Sequence, residues 1–302
     1  MNERRAVGRL DVLPSQRPEP AAGRQGTRTG SADSMSTATT PEDVLLELAD
    51  VSFSYPSGLN AVAGLSISVG RGSRLGIVGP SGCGKSTLLR LITDLARPDQ
   101  GRVTRNYGSD GDRAPVAMVF QEDTLLPWLT VRKNVGYYYA LHPRLLSKAE
   151  VNDRVGQLLG MVGLERFGDS YPRELSGGMK RRVAFLAAIA CRPQLLLLDE
   201  PFSSVDEPTR VEIHQQVRDI LDQFKITTIL VTHDLAEAVS LMDAVAILSA
   251  RPARVTKVTP VALSDTSDLL EARGTREFLD LYGQLWEALS HEIRAGRVSA
   301  DR

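Results

Sequence analysis

The sequence predicts an α/β protein built on a parallel sheet, with an antiparallel β subdomain on its N-terminal side and a helical subdomain inserted in the middle. Three observations lead there. Strands and amphipathic helices alternate through the second half: strand 195–198, helix 208–224, strand 226–231, helix 235–242 and strand 244–248. Such alternation implies parallel strands covered on both faces by helices. A short apolar run at 75–78 enters a glycine-rich segment, and Leu88, Leu89, Leu91 and Ile92 beyond it share one helical face. Upstream, 44–55 and 65–69 alternate apolar and polar residues, as half-buried antiparallel strands do.

In chain order, residues 1–40 are rich in Arg, Gly, Ser, Thr and Pro and carry no periodic apolar face, so they read as a disordered tail. A targeting peptide is the competing reading. It lacks a hydrophobic core and must accommodate Glu3, Asp11, Glu19 and Asp33; Met35 is an alternative start. The segment 41–250 forms the main domain. Gly70-Arg71-Gly72 turns the chain into the strand at 75–78, and 117–120 is a further short buried strand. Residues 130–170 are polar and helix-forming, which places a helical subdomain at about 122–185. Helix 180–190 packs through Val183, Leu186 and Ala190, and helix 208–224 through Val217, Ile220, Leu221 and Phe224. From 251 to 302 a weak strand leads to a helix with Phe278, Leu281, Leu285 and Leu289 at helical spacing. No internal repeat is present.

The 302 residues are 42% hydrophobic, enough for a sizeable core. A net charge of −1 argues against a chain that coats nucleic acid, and no such partner is expected. Cys83 and Cys191 make neither a disulfide framework nor a metal spacing, so a reducing cytosol is the expected setting. No apolar run reaches the roughly 18 residues of a membrane span.

Gly79, Pro80, Ser81, Gly82, Cys83, Gly84, Lys85, Ser86 and Thr87 fit the pattern of Gly, four residues, then Gly-Lys-Ser/Thr. Glycines at 79, 82 and 84 let successive N–H groups converge on one anion, and the following helix N-terminus adds about half a positive charge. Lys85 supplies a mobile ammonium for the β- and γ-phosphates, and the Ser86 hydroxyl is a ligand for Mg²⁺. A nucleoside triphosphate is the expected ligand.

Four leucines, 195–198, run into Asp199 and Glu200. At the C-terminal edge of a parallel sheet these carboxylates face the ligand crevice. Asp199 is expected to hold Mg²⁺, mostly through water, and Glu200 to orient and deprotonate the attacking water. His233 closes strand 226–231 at the same edge and is either a γ-phosphate contact or a hydrogen-bonded strand-end histidine. Gln121 ends the strand of Met118, Val119 and Phe120 and offers its amide to Mg²⁺ or water. Ser176, Gly177 and Gly178 precede a helix and make a second phosphate-binding cap, though the bare motif is also an ordinary N-cap.

The order of these elements resembles the ATPase subunit of ATP-binding-cassette transporters over about residues 44–250. Phosphate loop 79–87, Gln121, signature 175–179, Walker B strand 195–200, Asp206 and His233 occur in the family's sequence. The resemblance implies a P-loop NTPase (RecA-like) core and a head-to-tail homodimer. Each of two ATP molecules lies between Lys85 of one subunit and Ser176 to Gly178 of the other. It also implies that Tyr55 stacks on adenine; the residue-level alternative is a strand core position.

Residues 119–122 with 125–131, and 248–252, are similar to the importer branch serving nitrate, sulfonates and taurine. That similarity implies an integral-membrane permease partner, a periplasmic or lipid-anchored solute-binding protein acting indirectly, and a place at the cytoplasmic face of the membrane. Pro127 and Trp128 then meet the permease, unless they are core. The alternative class is a soluble cassette ATPase working on DNA, ribosomes or cofactor assembly; the long coiled-coil insertion or second cassette those uses require is missing. A non-hydrolysing subunit is opposed by Glu200 and His233. Departures from the family pattern are Met179 and Arg181 for glutamines, Ala187 for Arg, Ser204-Val205-Asp206 for Ala-Leu-Asp, and Asp94 for Gly. Cargo is chosen by the permease and binding protein and is not expected to be legible in this chain.

Overall fold

Four consecutive leucines can be buried at once because alternate side chains of a strand serve opposite faces. In the computed structural model Leu195 and Leu197 join one apolar cluster while Leu196 and Leu198 join another, one on each side of the sheet. The structure describes residues 43–108, 113–122, 124–203, 205–263 and 268–300. The expectations for the tail 1–40, for Met35 and for Ser204 fall outside these residues.

The described elements run β1 (Val44–Ser54), β2 (Asn60–Gly70), β3 (Arg74–Val78), α1 (Lys85–Ile92), β4 (Gln100–Arg105) and β5 (Val116–Val119). The helical stretch follows with α2 (Val131–Val135), α3 (Tyr137–Leu141), α4 (Lys148–Met161) and α5 (Gly177–Ala190). The chain continues through β6 (Leu195–Asp199), α6 (Glu207–Phe224), β7 (Thr227–Thr232), α7 (Leu235–Leu241) and β8 (Ala244–Leu248). It ends with β9 (Val255–Pro260), α8 (Leu269–Arg273) and α9 (Arg276–Ala300).

Among the described residues these strands form two sheets. One is antiparallel, in the order β2-β1-β4; the other is six-stranded, in the order β5-β6-β7-β3-β8-β9. In the larger sheet β5, β6, β7, β3 and β8 are parallel, and β9 adds antiparallel to β8. Helices α4, α5 and α6 pack on one face through residues such as Leu159, Phe185 and Val217. On the other face the antiparallel sheet and α1 bury Leu46, Leu65 and Leu88. A third cluster sets Phe278, Leu285 and Leu289 of α9 against α7 and β8. Each fully buried Leu contributes about 1.5–3 kcal/mol relative to exposure.

Two details depart from expectation. β4, a polar stretch with exposed or half-buried residues, completes the antiparallel sheet beside β1. Its second residue, Gly101, has φ 76°, and a Cβ there would stand 2.3 Å from the Asp50 carbonyl oxygen, so the pairing requires glycine. Phe224, placed by spacing on the packing face of α6, is instead exposed at the helix end, where Lys225 turns left-handed.

Candidate active site

Loop 79–84 joins β3 to α1, and its glycines answer to packing as well as to turning. Gly82 and Gly84 have φ of 72° and 126°. A Cβ on Gly84 would lie 2.6 Å from the Ala61 carbonyl oxygen, and one on Gly79 would lie 3.0 Å from both Cys83 Sγ and Leu248 Cβ. No side chain caps α1, so its first-turn N–H groups take no side-chain partner. Lys85 is buried, and its ammonium donates to the carbonyls of Gly79 at 2.8 Å and Pro80 at 3.0 Å. Behind the loop Cys83 is buried, which raises its thiol pKa.

A cavity of about 280 Å³ opens beside the loop, lined by Tyr55, Lys85, Ser86, Thr87, Glu200 and Arg251 among others. The Tyr55 hydroxyl and Thr87 Oγ1 share a 2.9 Å hydrogen bond, and the half-buried Tyr55 ring meets Phe53 edge-on at 5.1 Å. A larger cavity of about 770 Å³, on the side facing α9, is bounded by the loop, His233, Arg251 and Trp286, but not by Lys85, Ser86 or Glu200. The candidate residues Lys85, Ser86 and Glu200 thus line the smaller one and His233 the larger.

Glu200 follows β6 with φ 44°, a left-handed conformation that a non-glycine residue holds only where its surroundings impose it. Its N–H donates to the Val231 carbonyl at 2.8 Å, and its Oε2 lies 3.0 Å from His233 Nδ1. β6 and β7 are neighbours, which is why the residues after them meet. Burial and then the adjacent Glu200 charge raise the Asp199 pKa, against the pull of Lys85. A hydroxyl and a carboxylate are the hard oxygen donors Mg²⁺ takes, and a divalent cation would relieve that carboxylate repulsion. The residues present fit the ion.

Gln121 is exposed and outside the lining of the smaller cavity; its backbone carbonyl accepts a hydrogen bond from Arg181. Ser176 caps α5, accepting from Met179 N–H at 3.3 Å, so the helix starts three residues before the sequence-based boundary. A Cβ on Gly178 would press to 2.8 Å from Thr209 Cγ2, while Ser176 and Gly177 are exposed. Within one chain none of these three lines the cavity beside Lys85. Pro127 and Trp128 are also exposed, Trp128 at 69%, which removes the core reading. Asn134 fixes the turn that presents them, accepting from Leu126 N–H at 2.7 Å and donating to the carbonyls of Leu126, Leu129 and Thr130.

Residues 62–203 match the family described as ABC transporter. The aliphatic sulfonates import ATP-binding protein SsuB 1 of Pseudomonas syringae is 41% identical over 214 residues, covering 70% of this chain and 84% of that protein. This chain belongs to the ABC transporter family. It is an ATP-hydrolysing subunit of the branch that holds the sulfonate and nitrate import proteins. The nitrate import ATP-binding protein NrtC of Synechococcus elongatus is 38% identical over 81% of the chain, which spans only 38% of that longer protein. A bacterial ABC transporter cassette solved as a dimer superposes with TM-score 0.61 at 30% identity, over 72% of this chain and 99% of the cassette. No helix among the described residues of this ABC subunit is long and apolar enough to cross a membrane.

The ABC subunit also holds groups that motif reading passed over. Arg251 donates through Nε, at 2.9 Å, and Nη2 to the Gly82 carbonyl, tying the segment after β8 to the phosphate loop. Beneath His233, the buried Glu237 accepts from Thr232 Oγ1 at 2.5 Å, and its Oε1 lies 3.9 Å from His214 Nε2. Burial lifts Glu237 to about 8 and lowers His214 to about 3. His214 sits at helical spacing from Val217 and Leu221, a signal that a polar residue shares the buried face.

Proposed function

We propose that this ABC subunit binds and hydrolyses MgATP at the interface of a homodimer and drives uptake of a small solute, of the nitrate, sulfonate or taurine kind, through a partner permease at the cytoplasmic face of the membrane. A solute-binding protein acts through the permease. The observation that carries the shared-site reading is the separation of two anion-binding helix N-termini. One stands at Lys85 beside Glu200; the other, at Ser176 and Gly177, is exposed and contributes nothing to that cavity. An exposed helix N-terminus of this kind suits a phosphate, and in this reading that phosphate is held on another copy. The solved cassette of similar fold is dimeric, which supports self-association.

In this reading Lys85 leaves the Gly79 and Pro80 carbonyls for the β- and γ-phosphates. Ser86 and Asp199 would hold Mg²⁺, which would supply charge neutralisation at the phosphates. Glu200 accepts the proton of the attacking water, and His233, already hydrogen-bonded to it, fixes the carboxylate and reaches the γ-phosphate. Tyr55 offers its ring to adenine and Gln121 its amide to the metal or water. The exposed Pro127 and Trp128 present the apolar contact to the permease.

Mixing two inactive variants tests the shared site. Lys85→Ala has a dead phosphate loop and an intact cap; Ser176→Arg has the reverse. Each homodimer has two broken sites, but a mixed dimer has one site broken twice and one wild-type site. Mixing is expected to restore nucleotide-driven dimerisation. Normal turnover by Ser176→Arg alone would mean that the cap does not reach the nucleotide.

A further inference from the structure

Arg181 lies in the second turn of α5, four residues beyond Gly177, and its side chain is 4% exposed. Its guanidinium crosses to the turn after β5, where Nη1 donates to the Phe120 carbonyl at 3.1 Å and Nη2 donates to the Gln121 carbonyl. These are consecutive peptide carbonyls, and a guanidinium offers its N–H groups as a rigid planar fork. A buried charge is retained only where such donors are satisfied. One side chain thus joins the helix that starts at Ser176–Gly178 to the turn that carries Gln121.

We propose that Arg181 is a positioning residue that makes the Gln121 turn and the Ser176 cap move as one unit. This rests on the shared-site reading above, in which Gln121 addresses the ATP on its own phosphate loop and Ser176 the ATP on the partner's. Arg181 touches neither nucleotide. It passes the state of one site to the other, so its consequence is cooperativity rather than affinity.

The test uses the full chain with Arg181→Gln, Arg181→Lys and Arg181→Ala, reading ATP affinity, kcat, the Hill coefficient for ATP and melting temperature. ATP affinity is expected to stay within about twofold. In Arg181→Ala kcat is expected to fall about tenfold to a hundredfold, the cost of a small misplacement. The Hill coefficient should move toward 1, with Arg181→Lys intermediate because an ammonium keeps the charge without the fork. A folded Arg181→Ala with wild-type kcat and Hill coefficient overturns the proposal, as does a wild-type Hill coefficient of 1. Parallel loss of affinity, turnover and melting temperature in all three variants also overturns it, since Arg181 would then be structural only. Gel filtration of Glu200→Gln with ATP separates the two readings. If that variant stays monomeric the shared site falls. If it dimerises, and cooperative wild-type hydrolysis is unchanged by Arg181→Gln, only the role of Arg181 falls.

Discussion

Glu200→Gln and Glu200→Gly separate the chemistry of this residue from the strain in its backbone. A non-glycine residue at φ 44° costs about 1–2 kcal/mol. Glycine relieves that cost but gives back roughly 0.5–1 kcal/mol through unfolded-chain freedom. It also loses the 3.0 Å contact with His233, which at 59% exposure of the histidine side chain contributes about 0.2–1 kcal/mol. These effects nearly cancel, so Glu200→Gly should melt within about 3 °C of wild type, given that roughly 1 kcal/mol corresponds to 2–4 °C in chains of this size. Glu200→Gln keeps the strain and an acceptor facing His233 Nδ1, and removes a negative charge beside Asp199, so its melting temperature should be level or slightly higher. Turnover should fall by about 10²–10⁴ in both, the usual consequence of losing a positioned base. That corresponds to about 3–5 kcal/mol of barrier, well above the stability changes. The assay is phosphate release under saturating MgATP with calorimetry on the same samples. Near-normal turnover in Glu200→Gln would falsify the assignment of the base, and a drop of more than about 5 °C would show that the charge itself holds the turn.

Two further outcomes are expected. Glu237 ionises near 4.5 in an unfolded chain but is held to about 8 by burial, so the native state keeps a proton the unfolded state has shed, and stability falls as pH rises between those values. Glu237→Gln should flatten that decline in urea unfolding measured at pH 6 and pH 8.5; an unchanged slope would mean the carboxyl is ionised in the fold. His214 acts in the opposite sense, withdrawing stability as pH falls from 6.5 toward about 3. Trp128→Ala should leave the isolated subunit's ATPase rate and melting temperature near wild type while uncoupling transport in the assembled complex. Marked destabilisation of the isolated subunit would return Trp128 to a structural role.

The parallel core was legible because strands buried on both faces must be continuously apolar, as 195–198 and 75–78 are. The residues following those strands stood out because a glycine-rich loop with lysine and an acidic pair occur in one chain; an acidic pair alone after a strand is usually a turn. β4 was not legible. Its pairing rests on backbone geometry at Gly101 and Asp50 rather than on apolar side chains. Phe224 was misplaced because periodicity does not register where a helix ends against solvent. The Glu237–His214 pair and the bridge from Arg181 to the Gln121 turn join residues remote in sequence, and no local pattern announces such contacts.

The sheet order has a consequence for synthesis. β3 pairs on one side with β7, Arg74 opposite Thr228, and on the other with β8, Leu75 opposite Ala244. β7 emerges from the ribosome about 150 residues after β3 and β8 about 170 residues after it, delays of roughly 8 to 34 s at 5–20 residues per second. Through that interval the phosphate-loop strand has two open edges, which invite pairing with other chains. Non-local pairing of this kind is intrinsically slow to form. The antiparallel sheet of β1, β2 and β4 is complete by residue 105, well before β7 is made. With α1 it covers the face of β3 that carries Leu75 and Ile77, while the two strand edges wait for β7 and β8. The N-terminal sheet, which in the finished protein covers one face of the core, is thus fully synthesised before either edge of the phosphate-loop strand has its partner.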